Sequence, residues 1–154
     1  MSDAGPLVRA AHPGEVDEIS RLIITTLFRS NAADYPQNVL QRIAEVNAPA
    51  RILANMAIRD TLVAVAPDGT MIGTAGLEAN WIKSFFVHPD WQGKGVGRAL
   101  FAHSLGILRG RAVRTVRLQS SLTALGFYEA AGFRALREIV DGEDRKILME
   151  LDLV

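Results

Sequence analysis

Gln92-Gly93-Lys94-Gly95-Val96-Gly97 stands between an apolar, strand-like run, Trp81 to Val87, and an amphipathic, helix-like run from Arg98 onward. Glycines at the point where a strand enters a helix can hold phosphates. The first turn of a helix leaves backbone N–H groups unpaired, the helix dipole adds partial positive charge, and glycine lets a ligand approach the backbone. The alternative is that these glycines only shape a tight turn. Spacing excludes two common phosphate loops. The P-loop order G-x-x-x-x-G-K-[ST] fails because Lys94 is followed by Gly95 and no hydroxyl residue. The dinucleotide fingerprint G-x-G-x-x-G needs glycine where Arg98 stands, and no acidic residue sits at the expected distance on a following strand.

What remains resembles the acetyl-coenzyme A loop of the GNAT superfamily of N-acetyltransferases, whose signature Q/R-x-x-G-x-G/A is met by Gln92, Gly95 and Gly97. The preceding Phe85-Phe86-Val87-His88-Pro89 is similar to that family's strand running into a V-x-P turn. Downstream, Leu125-Gly126-Phe127-Tyr128-Glu129-Ala130-Ala131-Gly132-Phe133 is similar to its F-Y-x-x-x-G-F helix end, in the right order. The resemblance covers about Thr61 to Phe133; the N-terminal third fits only in its order of elements. It implies an α/β fold (α+β by some schemes), a mixed twisted sheet of about seven strands with helices on both faces, in one domain spanning 1–154. It also implies an enzyme that moves an acetyl group from acetyl-CoA to a primary amine by direct attack on the thioester, releasing coenzyme A.

On that resemblance, the pantetheine arm runs along Phe85, Phe86 and Val87, where its amides add to the sheet like an extra strand. The pyrophosphate lies on the N–H groups of Gly93, Lys94, Gly95, Val96, Gly97 and Arg98, beside Gln92. Lys94 and Arg98 supply charge at the rim or are solvated surface residues. Ser121 stands where many members carry an asparagine that contacts the cofactor; it either donates to the cofactor or caps the helix it opens. Tyr128 is the implied acid for the departing thiolate. A phenol of pKa ~10 can donate to a thiolate whose conjugate acid lies near ~8.5, although a lone helix tyrosine beside Phe127 more commonly just packs.

A base is harder to find. Several branches of the family place a glutamate where Trp81 stands. Glu78 is then a candidate acting through water, against a role as a solvated turn residue. His88 lies past the strand end, and His12 and His103 receive no role. Without a base, the proton goes to bulk water, which favours amines of lower pKa. The acceptor is expected beside Phe28 to Pro36, Trp81 and Lys83, with Tyr35 covering the site or packing on the surface. Strand alternation puts Trp81, Lys83, Phe85 and Val87 on one face, so Lys83 either reads a carboxylate on the acceptor or snorkels at a sheet margin. Three functions follow: acetylation of a small-molecule amine, which leads because Trp81 and the Phe85-Phe86 pair suggest a closed apolar pocket; acetylation of a protein N-terminus or lysine; and non-catalytic acyl-CoA sensing.

These residues need elements to hold them. Leu7 to Ala10 reads as a strand, and Pro13 to Arg29 as a helix with Val16, Ile19, Ile23 and Leu27 on one face. Ser30 to Pro36 reads as a polar loop, and Gln37 to about Ile58 as a helix broken near Pro49. Strands Thr61 to Ala66 and Met71 to Leu77 flank the turn Pro67-Asp68-Gly69-Thr70, followed by the strand 81–87 and a helix to about Arg109. Val113 to Gln119 reads as a strand, Ser121 to Ala131 as a helix, and two last strands meet at Asp141-Gly142. The 154 residues are 49% hydrophobic, enough for one core, and carry 17 basic and 17 acidic side chains, so no charge footprint for nucleic acid or an anionic membrane is expected. With no cysteine, disulfides, thiolate metal sites and cysteine nucleophiles are excluded, and no metal is expected. Met1 to Pro6 lacks the pattern of a signal peptide and no run reaches spanning length, which places the chain in the cytoplasm as an expectation. Assembly as a homodimer is left open.

Overall fold

The computed structural model describes residues 5–153, so the reading made of Met1 to Ala4 lies outside them. Seven strands form one sheet: β1 (Leu7–Ala10), β2 (Asp60–Val65), β3 (Met71–Glu78), β4 (Trp81–Val87), β5 (Thr115–Ser121), β6 (Arg134–Asp141) and β7 (Asp144–Asp152). Their spatial order is β1-β2-β3-β4-β5-β7-β6. Every pairing is antiparallel except β4 with β5, which is parallel and rests on the single register pair Trp81↔Arg117. Asn80 fastens that point: its carbonyl accepts from the Arg117 N–H at 2.9 Å and its Nδ2 donates to the Thr115 carbonyl at 3.0 Å. Beyond it β4 and β5 part, leaving a β4 edge without a strand partner.

Five α-helices cover the sheet: α1 (Val16–Thr26), α2 (Gln37–Val46), α3 (Pro49–Asn55), α4 (Val96–Gly110) and α5 (Leu125–Ala130). On one face α1 to α3 bury Ile19, Ile23, Val39 and Ile52 against Val63 and Met71. On the other, α4 and α5 bury Val96, Leu100, Leu108 and Tyr128 against Leu77, Ile82, Val116 and Met149. Pro49 opens α3, where its missing N–H would be unpaired anyway, so the break expected there divides two helices.

The helix expected over Pro13 to Arg29 is three pieces: a 3₁₀ turn (Pro13–Glu15), α1, and a π turn (Leu27–Asn31). The Thr26 hydroxyl donates to the Leu22 carbonyl at 2.7 Å, competing with the helical ladder where the π turn begins. α4 starts at Val96, ahead of the expected Arg98, because Gly95 takes φ 87° and turns the chain into the helix there. Conversely β5 runs on to Ser121, so α5 begins only at Leu125. The expected alternation along β4 is corrected by a bulge. Ser84 has φ 52°, and Gly76↔Lys83 is followed by Thr74↔Phe86, so the two strands are out of step by one residue. The extra residue resets the faces. Ile82, Phe85 and Val87 pack on the α4 side, Phe86 packs on the α1 side, and Lys83 does not share a face with Phe85.

One ion pair anchors the entry to α1. Arg9 donates to both carboxylate oxygens of Glu15, at 2.9 and 2.7 Å, and the His12 N–H adds a bond of 2.8 Å. Arg9 is the main cause that holds the Glu15 carboxyl down at about 2. A depressed acid stabilises the fold above its ordinary value and loses that contribution as the pH falls from about 4.5 towards about 2. Because both side chains keep some exposure, Glu15→Gln is expected to cost about 1 kcal/mol near pH 7 and nothing near pH 2, read from urea unfolding at the two pH values.

Candidate active site

Where β4 and β5 part, a cleft of about 530 Å³ passes through the sheet. The turn after α1 lines it with Thr26, Ser30 and Asn31, and the opposite face with Gly97, Arg98, Phe127 and Tyr128. Between them run Phe85 to Val87 on one side and Ser121, Thr123 and Ala124 on the other. The splayed parallel pair thus produces the opening, and the elements on both faces supply its walls.

At one end lies the glycine loop. Among the described residues none of the N–H groups from Gly93 to Arg98 donates to a backbone carbonyl, so six donors stand at the start of α4 with no backbone partner there. Gly93 (φ 74°) and Gly95 (φ 87°) need the left-handed region, and a Cβ at either would meet nothing within 4 Å. That open volume above free donors fits a diphosphate. Gly97 serves differently: a Cβ there would lie 3.3 Å from the Phe127 ring, so its absence lets α4 approach α5. Gln92 braces the loop, its Nε2 donating to the Val87 carbonyl and to Ser30 Oγ, both at 3.1 Å. Of the two rim charges expected, Arg98 lines the cleft, while Lys94 sits 5.4 Å over the Trp91 ring. The Val96 side chain is in the core, leaving only its backbone to face a ligand.

Tyr128 stands midway along. It is 5% exposed, packed edge-on at 5.9 Å from Phe85 and 5.7 Å from Phe133, and its hydroxyl has no hydrogen-bond partner among the described residues. Burial pushes the phenol well above its ordinary value, so it stays protonated across the physiological range. Ser121 lines the cleft, and its Oγ accepts from the Ala124 N–H at 3.1 Å, capping the turn that leads into α5.

The remaining candidates lie off the wall. Glu78 meets Arg59 at 3.2 Å and Lys83 at 3.4 Å, at the β3–β4 end away from the loop, and Trp81 is there too. His88 Nδ1 accepts from the Asp90 N–H at 3.1 Å. Tyr35 is buried, its hydroxyl donating to the Arg145 carbonyl at 2.5 Å and accepting from the Leu122 N–H at 2.9 Å, so it pins the chain after β5 rather than facing the cleft. Among the described residues no carboxylate or imidazole lines the cleft. Sequence reasoning reached Ser30 and Asn31 only as part of a broad segment, and missed Thr26, Thr123 and Ala124. The signal available was Thr26-x-x-x-Ser30-Asn31, polar residues one helical turn apart at the end of that helix.

Among the described residues no helix is long and apolar enough to cross a membrane, and no cluster of three or more metal-ligand side chains occurs. The family model described as an acetyltransferase (GNAT) domain matches residues 31–149. The [ribosomal protein bS18]-alanine N-acetyltransferase of Escherichia coli K12 is 36% identical over 76 residues, 44% of this chain and 51% of that protein. The glucosamine 6-phosphate N-acetyltransferase of Trypanosoma brucei brucei is 34% identical over 80 residues, 45% of this chain and 54% of that protein. The chain thus spans about half the length of the curated relatives it matches. Among solved structures, a GCN5-related N-acetyltransferase from Rhodopseudomonas palustris superposes with a TM-score of 0.90 at 23% identity, covering 99% of both chains. PaiA N-acetyltransferase from Thermoplasma acidophilum, solved with coenzyme A, superposes with a TM-score of 0.83 at 19% identity, covering 97% of this chain and 99% of that one.

Proposed function

The chain belongs to the GNAT acetyltransferase family, and on that premise we propose that it transfers an acetyl group from acetyl-CoA to the amine of a small molecule. The observation that carries the proposal is the single cleft holding unpaired N–H donors at one end and an unpartnered, protonated phenol midway. The diphosphate of acetyl-CoA rests on Gly93 to Arg98, with Arg98 adding charge. Its pantetheine arm follows the free edge of β4 at Phe85 to Val87, with Ser121 within its course.

The amine attacks as the neutral base. A C–N bond forms, the C–S bond breaks, and Tyr128 gives its proton to the departing sulfur. Burial raises the phenol's pKa, but a thiolate leaving into the same apolar surroundings is destabilised by the same desolvation, so donor and acceptor rise together. The proton shed by the amine leaves through water, and water reprotonates the phenolate. Glu78 is held by Arg59 and Lys83, which favours a structural ion pair over a base or an acceptor contact. Lys83→Met is accordingly expected to leave the ranking of carboxylate-bearing and carboxylate-free amines unchanged; a loss of preference for the acidic ones would return Lys83 to the acceptor site.

A compact acceptor is supported by two ties across the α1-side wall. Ser30 holds Gln92 at 3.1 Å, and Thr123 Oγ1 donates to Asp34 Oδ2 at 2.7 Å. A peptide lying along the strand edge would have to open them. Thiol release from acetyl-CoA, measured with glucosamine 6-phosphate and with an alanine-initiated peptide, tests this: the sugar amine is expected to be about tenfold or more better in kcat/KM. Preference for the peptide replaces the proposal with protein N-terminal acetylation, and cofactor binding with no turnover of any amine replaces it with a sensor.

A further inference from the structure

Asn31 ends the π turn, lines the cleft, and is 8% exposed, yet its side-chain amide makes no hydrogen bond among the described residues. Its backbone is fixed, the carbonyl accepting from the N–H groups of Asp34 at 3.0 Å and Tyr35 at 3.2 Å. Most of the residue is enclosed, but its amide is not among the fully buried unpaired groups, so its polar atoms open onto the cleft and are presented to whatever binds there. Its polar neighbours are already engaged. The Thr26 hydroxyl donates to the Leu22 carbonyl, and Ser30 Oγ accepts from Gln92. Asn31 alone on this wall keeps its full donor and acceptor capacity.

The faces of the sheet decide what that partner is. Tyr128 stands on the α4–α5 side, and Asn31 on the α1 side, with β4 between them. A thioester lying along β4 with its sulfur towards Tyr128 leaves its carbonyl open to attack from the side of Asn31. We propose that Asn31 binds the acceptor, its Oδ1 accepting one N–H of the neutral amine and turning the nitrogen lone pair towards the thioester carbonyl. This rests on the acetyltransferase reading above and narrows it to a substrate class. Among the described residues Arg98 and Tyr128 are the only ionisable side chains on the wall, so an ammonium ion entering it finds no counter-charge and would be buried at high cost. The site therefore takes amines with a substantial neutral fraction. Near pH 7.5 an amine of α-amino type is neutral about two-hundredfold more often than one of lysine type.

The test uses glycinamide and propylamine as probe acceptors with acetyl-CoA, read by thiol release, and calorimetry for acetyl-CoA itself. Asn31→Leu keeps the size and removes the polar atoms; it is expected to raise the KM of glycinamide about tenfold or more while the Kd of acetyl-CoA stays within about twofold. Asn31→Asp supplies a counter-charge, so the KM of propylamine is expected to fall relative to that of glycinamide by about fivefold or more. Unchanged amine KM values in both variants overturn the inference. So does weaker acetyl-CoA binding with amine KM unchanged, which would assign the amide to the pantetheine arm. If the unaltered protein binds no acetyl-CoA or acetylates neither probe, the acetyltransferase reading itself fails, an outcome distinct from any change confined to the Asn31 variants. Should Asn31→Leu unfold, the KM ratio in Asn31→Asp decides alone.

Discussion

Tyr128→Phe is expected to slow acetyl transfer in a single turnover by ~10²–10⁴-fold while leaving acetyl-CoA affinity within about twofold. The substitution keeps the ring that packs against Phe85, Phe127 and Phe133 and removes only the hydroxyl. Because that hydroxyl has no protein partner, its loss strands no buried donor or acceptor, and thermal stability should hold or rise slightly. A rate loss joined to unchanged stability separates a proton donor from a packing residue. The pH dependence carries the same sign: the phenol is pushed above its ordinary value, so activity should climb towards the pKa of the amine with no alkaline loss from Tyr128 below about pH 10. An unchanged single-turnover rate in the variant would leave positioning alone to run the reaction.

How much of this was legible in the chain depended on the range of the signal. The loop was readable because Gly93 and Gly95 answer a local demand, a left-handed φ, whereas the need for Gly97 comes from Phe127 on α5 and was read only through the motif. The helix break at Pro49 and the hairpin at Gly142 are local for the same reason. What failed was what depends on a partner elsewhere in the fold. Alternation along β4 was counted through Ser84, whose bulge exists only relative to β3. Tyr35, at a loop by sequence, is held by Leu122 and Arg145, both distant in the chain. Lys83 looked free until Glu78 came across the hairpin to meet it. The cleft itself is a property of a missing interaction, the pairing that β4 and β5 do not make beyond Trp81 and Arg117, and no periodicity in either strand encodes an absence.

The phosphate cradle admits a test that separates backbone shape from ligand charge. Gly95→Val is expected both to lower the melting temperature, through about 1–3 kcal/mol of strain at φ 87°, and to weaken acetyl-CoA about tenfold or more by filling the open volume. A loss of both could come from a distorted helix start alone. Asparagine and aspartate tolerate the left-handed region far better than valine and match each other in size, so Gly95→Asn and Gly95→Asp should both melt well above the valine variant, the aspartate slightly the higher for its charge at the helix start. They differ only in charge. If a diphosphate lies against Gly93 to Arg98, the aspartate variant should bind acetyl-CoA about tenfold or more weakly than the asparagine variant, and the gap should narrow as salt is raised. A truncated acetyl thioester without phosphates should react equally well with both. Equal acetyl-CoA affinity in the two variants would place the phosphates elsewhere, whatever the valine variant does.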